Sequence, residues 1–266
     1  MRVLGFAALL VLFTAALQAQ PPLPPAPAAD PVLDDHLNKW QQTLGKATNF
    51  SAKFDLTRTE AVFKKEQKYT GQVLCLKPNL ARISIGNSNA AKKDDFEAYI
   101  CNGKALFHYE WSSKTITEIP LAQGQQADNL MLDFIGGMNA AAAKKRFVIT
   151  QFNPADKNYV YFDIKPTLAK DKQEFEHIRF ALYGPNVPPP FKPYLPAQMY
   201  MLKPNGDAEM WKFNEQTVDI AGITAQHFQY EEPKDGNKWL KRKAGDTPPL
   251  GPAIPAGGAV RPGPMK

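Results

Sequence analysis

The chain has 266 residues, 44% of them hydrophobic and 22% charged, a balance that supports a packed globular body and excludes a disordered chain. Its 24 prolines fall mostly in three places: six in residues 21–31, six in 185–196 and six in 248–264. That excludes a generally Pro-rich or collagen-like chain and leaves a Pro-poor body with a linker, an internal loop and a tail. The net charge of +6 sits largely outside that body: residues 234–266 hold seven Lys or Arg against two Asp, while residues 20–233 hold 24 basic and 24 acidic residues. A phosphate-binding surface needs excess positive charge on the body itself, so nucleic acid is not an expected partner. The basic end reads as a solvated tail, with weak attraction to anionic lipid head groups as the functional alternative.

Residues 1–19 (MRVLGFAALLVLFTAALQA) give one Arg, an apolar run from Val3 to Leu17 and then small residues. This is the three-part pattern of a secretory signal peptide, with cleavage after Ala19. The run is short for a membrane span, and no Cys stands near the cleavage point to carry a lipid. Residues 20–31 form a Pro-rich linker. A helix follows, with Asp30 as N-cap, Pro31 in its first turn, and Leu33, Leu37, Trp40 and Leu44 recurring on one face. From Phe50 the period changes to two. Phe50, Ala52, Phe54 and Leu56 alternate with polar residues, and residues 71–77 (GQVLCLK) are apolar on both faces. Strands are predicted at 80–85, 97–101, 105–110 and 114–119, with Asn102-Gly103 as a hairpin turn. Asp128 opens a second helical patch holding Leu130, Met131, Phe134, Ile135 and Met138, and the Ala140–Ala143 run extends it. Strands resume at 147–152, 158–164, 175–182, 197–202, 208–213, 217–220 and 225–230. Residues 234–266 read as a disordered basic Gly/Pro-rich tail.

Many strands, two amphipathic helices and no βαβ alternation predict a mainly β fold with an antiparallel sheet. An aromatic-rich sheet or barrel of this size either fills itself or encloses an apolar cavity. The two helices then either seal the sheet as permanent core or act as a lid. Chemistry is sparse. The histidines 36, 108, 177 and 227 share no metal-ligand spacing, and no nucleophile, phosphate-loop or EF-hand motif occurs. Asp94-Asp95 and Glu231-Glu232 are adjacent residues, which point to opposite faces on a strand. No metal, cofactor or catalytic residue is expected. Cys75 and Cys101 make a disulfide the first expectation in an exported chain.

The order of these features resembles the LolA-type periplasmic lipoprotein carriers and the wider LolA/LolB-like superfamily, over about residues 33–233. TNFSAKFDLTRTE resembles the family's long first strand, and GQVLCLKPNLARISI its glycine, apolar strand, basic-Pro-Asn and second strand. AYICNGKALFHYE resembles its hairpin, DNLMLDFIGG its apolar lid helix, and FQYEEPKDG its closing strand. The resemblance implies an unclosed, strongly curved antiparallel β-barrel of about 11 strands with a helical lid, spanning residues 32–233. It implies a soluble periplasmic monomer, not itself lipidated, that serves outer-membrane lipoprotein sorting or other lipid transport. Its partners would be lipid or lipoprotein acyl chains and membrane-associated donor and acceptor proteins. Lys77 matches a basic residue that latches the lid, where the family's carriers have Arg, and Leu44 matches an apolar position packed in the closed state. The cavity and lid residues would be Leu33, Leu37, Trp40, Leu44, Phe54, Leu74, Leu76, Phe107, Leu130, Met131, Phe134, Ile135 and Trp211. In such a meander one strand separates Cys75 from Cys101, about 10 Å across, so free thiols are expected instead of a disulfide. An envelope-sensing or protein-interaction module on the same scaffold is the alternative function.

Overall fold

The computed structural model describes residues 30–92, 94–121, 134, 139–154 and 156–245. The chain divides between Asp30 and Pro31, and the fold described is that of the second unit. Helix α1 (Pro31–Lys46) opens on the proline and buries Leu33, Leu37, Trp40 and Leu44 on one face, since side chains three and four apart share a side. Asp34 in its first turn and Lys46 in its last complement the helix dipole.

Twelve strands follow: β1 (Asn49–Glu60), β2 (Lys65–Leu76), β3 (Leu80–Asn87), β4 (Phe96–Asn102), β5 (Ala105–Glu110), β6 (Thr115–Pro120), β7 (Phe147–Phe152), β8 (Tyr159–Pro166), β9 (His177–Tyr183), β10 (Pro196–Leu202), β11 (Ala208–Val218) and β12 (Leu240–Lys243). They form one sheet in the order β12-β6-β5-β4-β3-β2-β1-β11-β10-β9-β8-β7. Every ladder is antiparallel except β12 against β6. Among the described residues no ladder joins β7 to β12, so the barrel is unclosed.

One ion pair measures the curvature. Phe54, Gly71, Ile85 and Glu97 lie in one register row across β1–β4, and Arg58 stands four residues further along β1. In a flat sheet Arg58 and Glu97 would be offset by roughly 14 Å sideways and roughly 13 Å lengthwise, far beyond the reach of the two side chains. Yet Arg58 Nη1 lies 2.7 Å from Glu97 Oε1. The sheet must coil strongly toward the face that bears both residues.

That inner face carries the main core. Trp40 of α1 stands 5.1 Å from the Phe180 ring, 6.3 Å from Phe162 and 6.4 Å from Phe134, centroid to centroid. Two short helices pack beside β7 and β8. Helix α2 (Ala140–Arg146) is capped by the Asn139 side chain, which accepts from the Ala142 N–H, and the Ala140 N–H donates to Gln41 on α1. Helix α3 (Ala169–Glu174) presents the buried Asp171, which receives Arg146 at 2.7 and 2.6 Å. The outer face of β4–β6 has its own cluster of Ala98, Ile100, Tyr109, Ile116 and Trp239. A strap formed by the 3₁₀ turn Ala225–Phe228 and the residues up to β12 covers it.

Three expectations change. Residues 225–228 make a 3₁₀ turn and 229–230 an irregular segment instead of a strand, and 217–218 belong to β11. Helix α3 was not expected; at six residues it falls below the length at which periodicity shows. The expected tail boundary at 233 is crossed: Trp239 is buried and β12 pairs with β6, which supplies the twelfth strand. The three basic residues of β12 gave it the composition of a tail.

Candidate functional site: the inner face of the sheet

The apolar part of the inner face is built on parity. Phe50, Ala52, Phe54 and Leu56 on β1 meet Trp211 and Phe213 on β11, with Phe54 4.7 Å from Trp211 and 6.2 Å from Phe213, ring to ring. Phe54 lies directly over Gly71, where an added Cβ would come within 2.3 Å of the ring and 2.2 Å of the Ser84 carbonyl oxygen. Glycine is what lets the ring approach the β2 backbone this closely. Of the residues expected to line a cavity, Leu33, Leu37, Trp40, Leu44, Phe54, Phe134 and Trp211 share this core, and α1 fills the space between the strands. Leu130, Met131 and Ile135 lie outside the described residues.

Three expected members face the other way. Val73 is buried in the main core, so the adjacent Leu74, and Leu76 after it, point to the outer face by strand alternation. Phe107 belongs to the outer cluster and packs on Tyr230 at 4.7 Å. The run GQVLCLK is apolar at both parities, so its pattern could not choose a side; the Phe54–Gly71 contact does.

Lys77 sits where the chain leaves β2. Its Nζ donates to the Leu44 carbonyl and, at 2.7 Å, to the Gly45 carbonyl. These are last-turn acceptors of α1 that have no partner within the helix, and a cation there is favoured by the helix dipole. Burial lowers the Lys77 pKa, opposed by the charge of Asp219. Elsewhere α1 is held by His36 against the Tyr194 hydroxyl at 3.3 Å and by the Lys144–Asp34 pair.

A polar cluster occupies the end of the inner face beyond Leu56. Arg58 binds Glu97 through both terminal nitrogens, lies 3.4 Å from Glu209, and stacks over Tyr69 at 4.9 Å. Glu209 also receives Lys203 at 2.8 Å and the Trp211 indole at 3.1 Å. Burial works against the Arg58 charge, but the Glu97 hydrogen bond and the two carboxylates outweigh it and hold its pKa above the usual value. Burial likewise opposes the Glu97 charge, and Arg58 still keeps that carboxyl below its ordinary range. Tyr99 donates to Glu97 and stacks on His108 at 4.3 Å. Among the described residues the buried His108 Nε2 has no hydrogen-bond partner, and burial lowers the His108 pKa. Sequence reasoning missed this cluster. Its signal was present: Arg58 continues the inward parity of Phe50, Ala52, Phe54 and Leu56, and Glu209 that of Trp211 and Phe213.

Cys75 and Cys101 are not joined in a disulfide. They occupy one register row with Ala81 between them, and burial pushes the Cys75 pKa up to about 12, so it stays protonated and inert. Among the described residues no group of His, Cys, Asp and Glu could hold a metal ion, and no helix is long and apolar enough to cross a membrane. On the outer face two open grooves of ≈ 390 and ≈ 510 Å³ flank the strap, the larger lined by Phe107, Ile116, Tyr230 and the basic β12.

Fold and inner face together describe an open, strongly curved β-barrel with an apolar helix packed on its inner face, and several solved structures align with the chain at low identity. No family model and no curated protein matches the sequence. A LolA superfamily protein from Nitrosomonas europaea aligns at 11% identity and a TM-score of 0.41, over 74% of this chain and 97% of that one. A DUF1329 family protein from Desulfovibrio piger aligns at 9% and 0.43, over 76% of this chain and 98% of that one. LprF from Mycobacterium bovis aligns at 8% and 0.40, over 74% of this chain and 98% of that one.

Proposed function

We propose that the chain is an exported, non-enzymatic carrier that binds a lipid or lipoprotein acyl chain against the apolar inner face, with α1 as the movable cover. The observation that carries this reading is the way α1 is held. Its apolar side fills a coiled, aromatic-lined sheet, while its C-terminal end is tied by one lysine from the end of β2. Lifting the helix would leave Phe54, Phe162, Phe180 and Trp211 facing a space that hydrocarbon fills better than water. An acyl chain gains roughly 0.8 kcal/mol for each buried CH₂, which offsets the apolar contacts that the helix gives up. The polar cluster at Arg58 gives that space a polar end, as an amphiphile requires.

Gentle purification followed by native mass spectrometry and organic extraction tests the reading. The expected result is a co-purifying lipid in stoichiometric amount, displaced when Phe54 or Trp211 is changed to Asp. Preparations that never contain lipid, under conditions where the protein is folded, would overturn it. The grooves beside the strap favour a second reading, an envelope-sensing or protein-interaction module. In that case a partner would bind the outer face, and Tyr230→Ala would abolish its capture while leaving lipid content unchanged.

A further inference from the structure

The hairpin between β1 and β2 ends in Ala61-Val62-Phe63-Lys64. Val62 is 82% exposed and Phe63 78% exposed; the next most exposed large apolar side chain among the described residues, Val32, reaches 56%. A tight turn favours Gly, Pro, Asn, Asp or Ser, and this one contains none of them. Turn chemistry therefore does not account for a valine and a phenylalanine here. The arms are stiff. β1 and β2 pair without a break from Asn49–Leu76 to Glu60–Lys65, and β11 flanks β1 as far as the Thr59–Ala208 pair. On the other side β3 stops at the Tyr69–Asn87 pair, so the tip projects beyond it. The turn is braced by the Ala61 N–H, which donates to Asp207 at 2.9 Å, and it closes through Lys64 in the left-handed region at φ 51°. Lys64, Lys65 and Lys68 stand exposed along the hairpin beside the apolar pair, against Glu60, Glu66 and the Asp207 carboxylate that braces the turn.

We propose that this tip is a membrane-docking element: Val62 and Phe63 enter the acyl region of an anionic bilayer while the flanking lysines meet its head groups. An apolar point with exposed lysines directly beside it is complementary to that interface, where apolar burial and attraction of those lysines to anionic lipid act together. The proposal goes beyond the carrier reading, because docking can occur whether or not the inner face holds lipid.

The full chain is tested by co-sedimentation with vesicles of phosphatidylethanolamine and phosphatidylglycerol. Wild type is expected to pellet with them, and more weakly with pure phosphatidylcholine or at raised salt. The double variant Val62→Asp/Phe63→Asp should lose at least about tenfold in apparent affinity, and Lys64→Glu/Lys65→Glu should lose the preference for anionic vesicles. Neither apolar side chain is packed, so the melting temperature serves as a control and should not change. Wild type that fails to pellet, as when the tip serves a protein partner, overturns the proposal, and so does a Val62→Asp/Phe63→Asp variant that pellets like wild type. Lipid extracted from the same variants separates the two readings: retained lipid with lost docking leaves the carrier intact, and docking without lipid leaves the tip intact.

Discussion

At the scale of single residues, the inner face is specified by one absent side chain and one buried ring. Gly71 is open to Phe54 only because it has no Cβ. Gly71→Ala should cost about 1–3 kcal/mol through overpacking, read as a drop in melting temperature, whereas Gly45→Ala, with nothing within 4 Å of the added carbon, should be neutral or slightly stabilising. Equal melting temperatures for the two variants would mean that Phe54 does not lie where it is described. His108 has the opposite character, a titratable group where protonation is unwelcome. It faces Tyr99 and Glu97 on β4, Glu110 on β5, Arg242 on β12 and Arg58 on β1, and burial outweighs the attractive charges. Its folded pKa lies below the ordinary value of about 6.5, so the unfolded chain takes up a proton first as the pH falls. Stability is therefore full above about pH 6.5 and declines as the pH falls from there toward the lowered pKa. Glu97, also lowered, acts in a more acidic window: its pairing with Arg58 contributes above about pH 4.3 and is lost as the pH falls through its folded pKa. Thermal melts across pH should show both limbs. His108→Phe should flatten the first and spare the second; an unchanged near-neutral slope would rule His108 out as its source.

At the scale of elements, what was legible in the sequence follows from how many parities each segment leaves open. α1 has four apolar residues on one stripe, and β1 alternates cleanly, so both were readable and their buried faces followed. β2 is apolar on both sides, and its facing depends on a contact made by a residue of β1, which no pattern within β2 contains. Arg58 was readable in principle, because it stands on the inward parity, but a lone charge on a strand reads as exposed until its partners on other strands are known. The lysine at 77 gained its meaning from the family resemblance, and the structure places it on the end of α1. The consequence is testable at this scale. Lys77→Met removes both donors from the helix end, worth about 1 kcal/mol, and should speed amide exchange in α1 by about fivefold relative to β9, a strand of the central core. Lys77→Arg, which keeps the charge and the donors, should restore most of the protection. If exchange in α1 is indifferent to Lys77→Met, the lysine does not hold the helix and α1 is kept in place by packing alone.

At the scale of the whole molecule, the first helix and the last strap of the described residues lie on opposite faces of the sheet. The helix packs into the main core of the inner face, and the strap from 225 to 245 covers the outer face of β4–β6. Tyr230 lies on Phe107, Trp239 packs against Trp111 at 4.8 Å, and the Tyr109 hydroxyl donates to the Glu231 carbonyl at 3.0 Å. β12 then pairs with β6 and covers that edge, which would otherwise offer unpaired backbone groups for association. This arrangement changes how the basic end should be probed. A deletion starting at Lys241 removes most of an edge strand, so a lost interaction would report damage to the fold. A chain ending at Gly245 keeps the strap and should melt with the full-length protein. A chain ending at Phe228 uncovers Phe107, Tyr109 and Trp111 together with the β6 edge. Losing Trp239 alone should cost roughly 3 kcal/mol by large-to-small substitution, so this shorter chain should melt well below the other two and aggregate on concentration. Should it remain monomeric with an unchanged melting temperature, the strap would be an appendage and the body would end at β11.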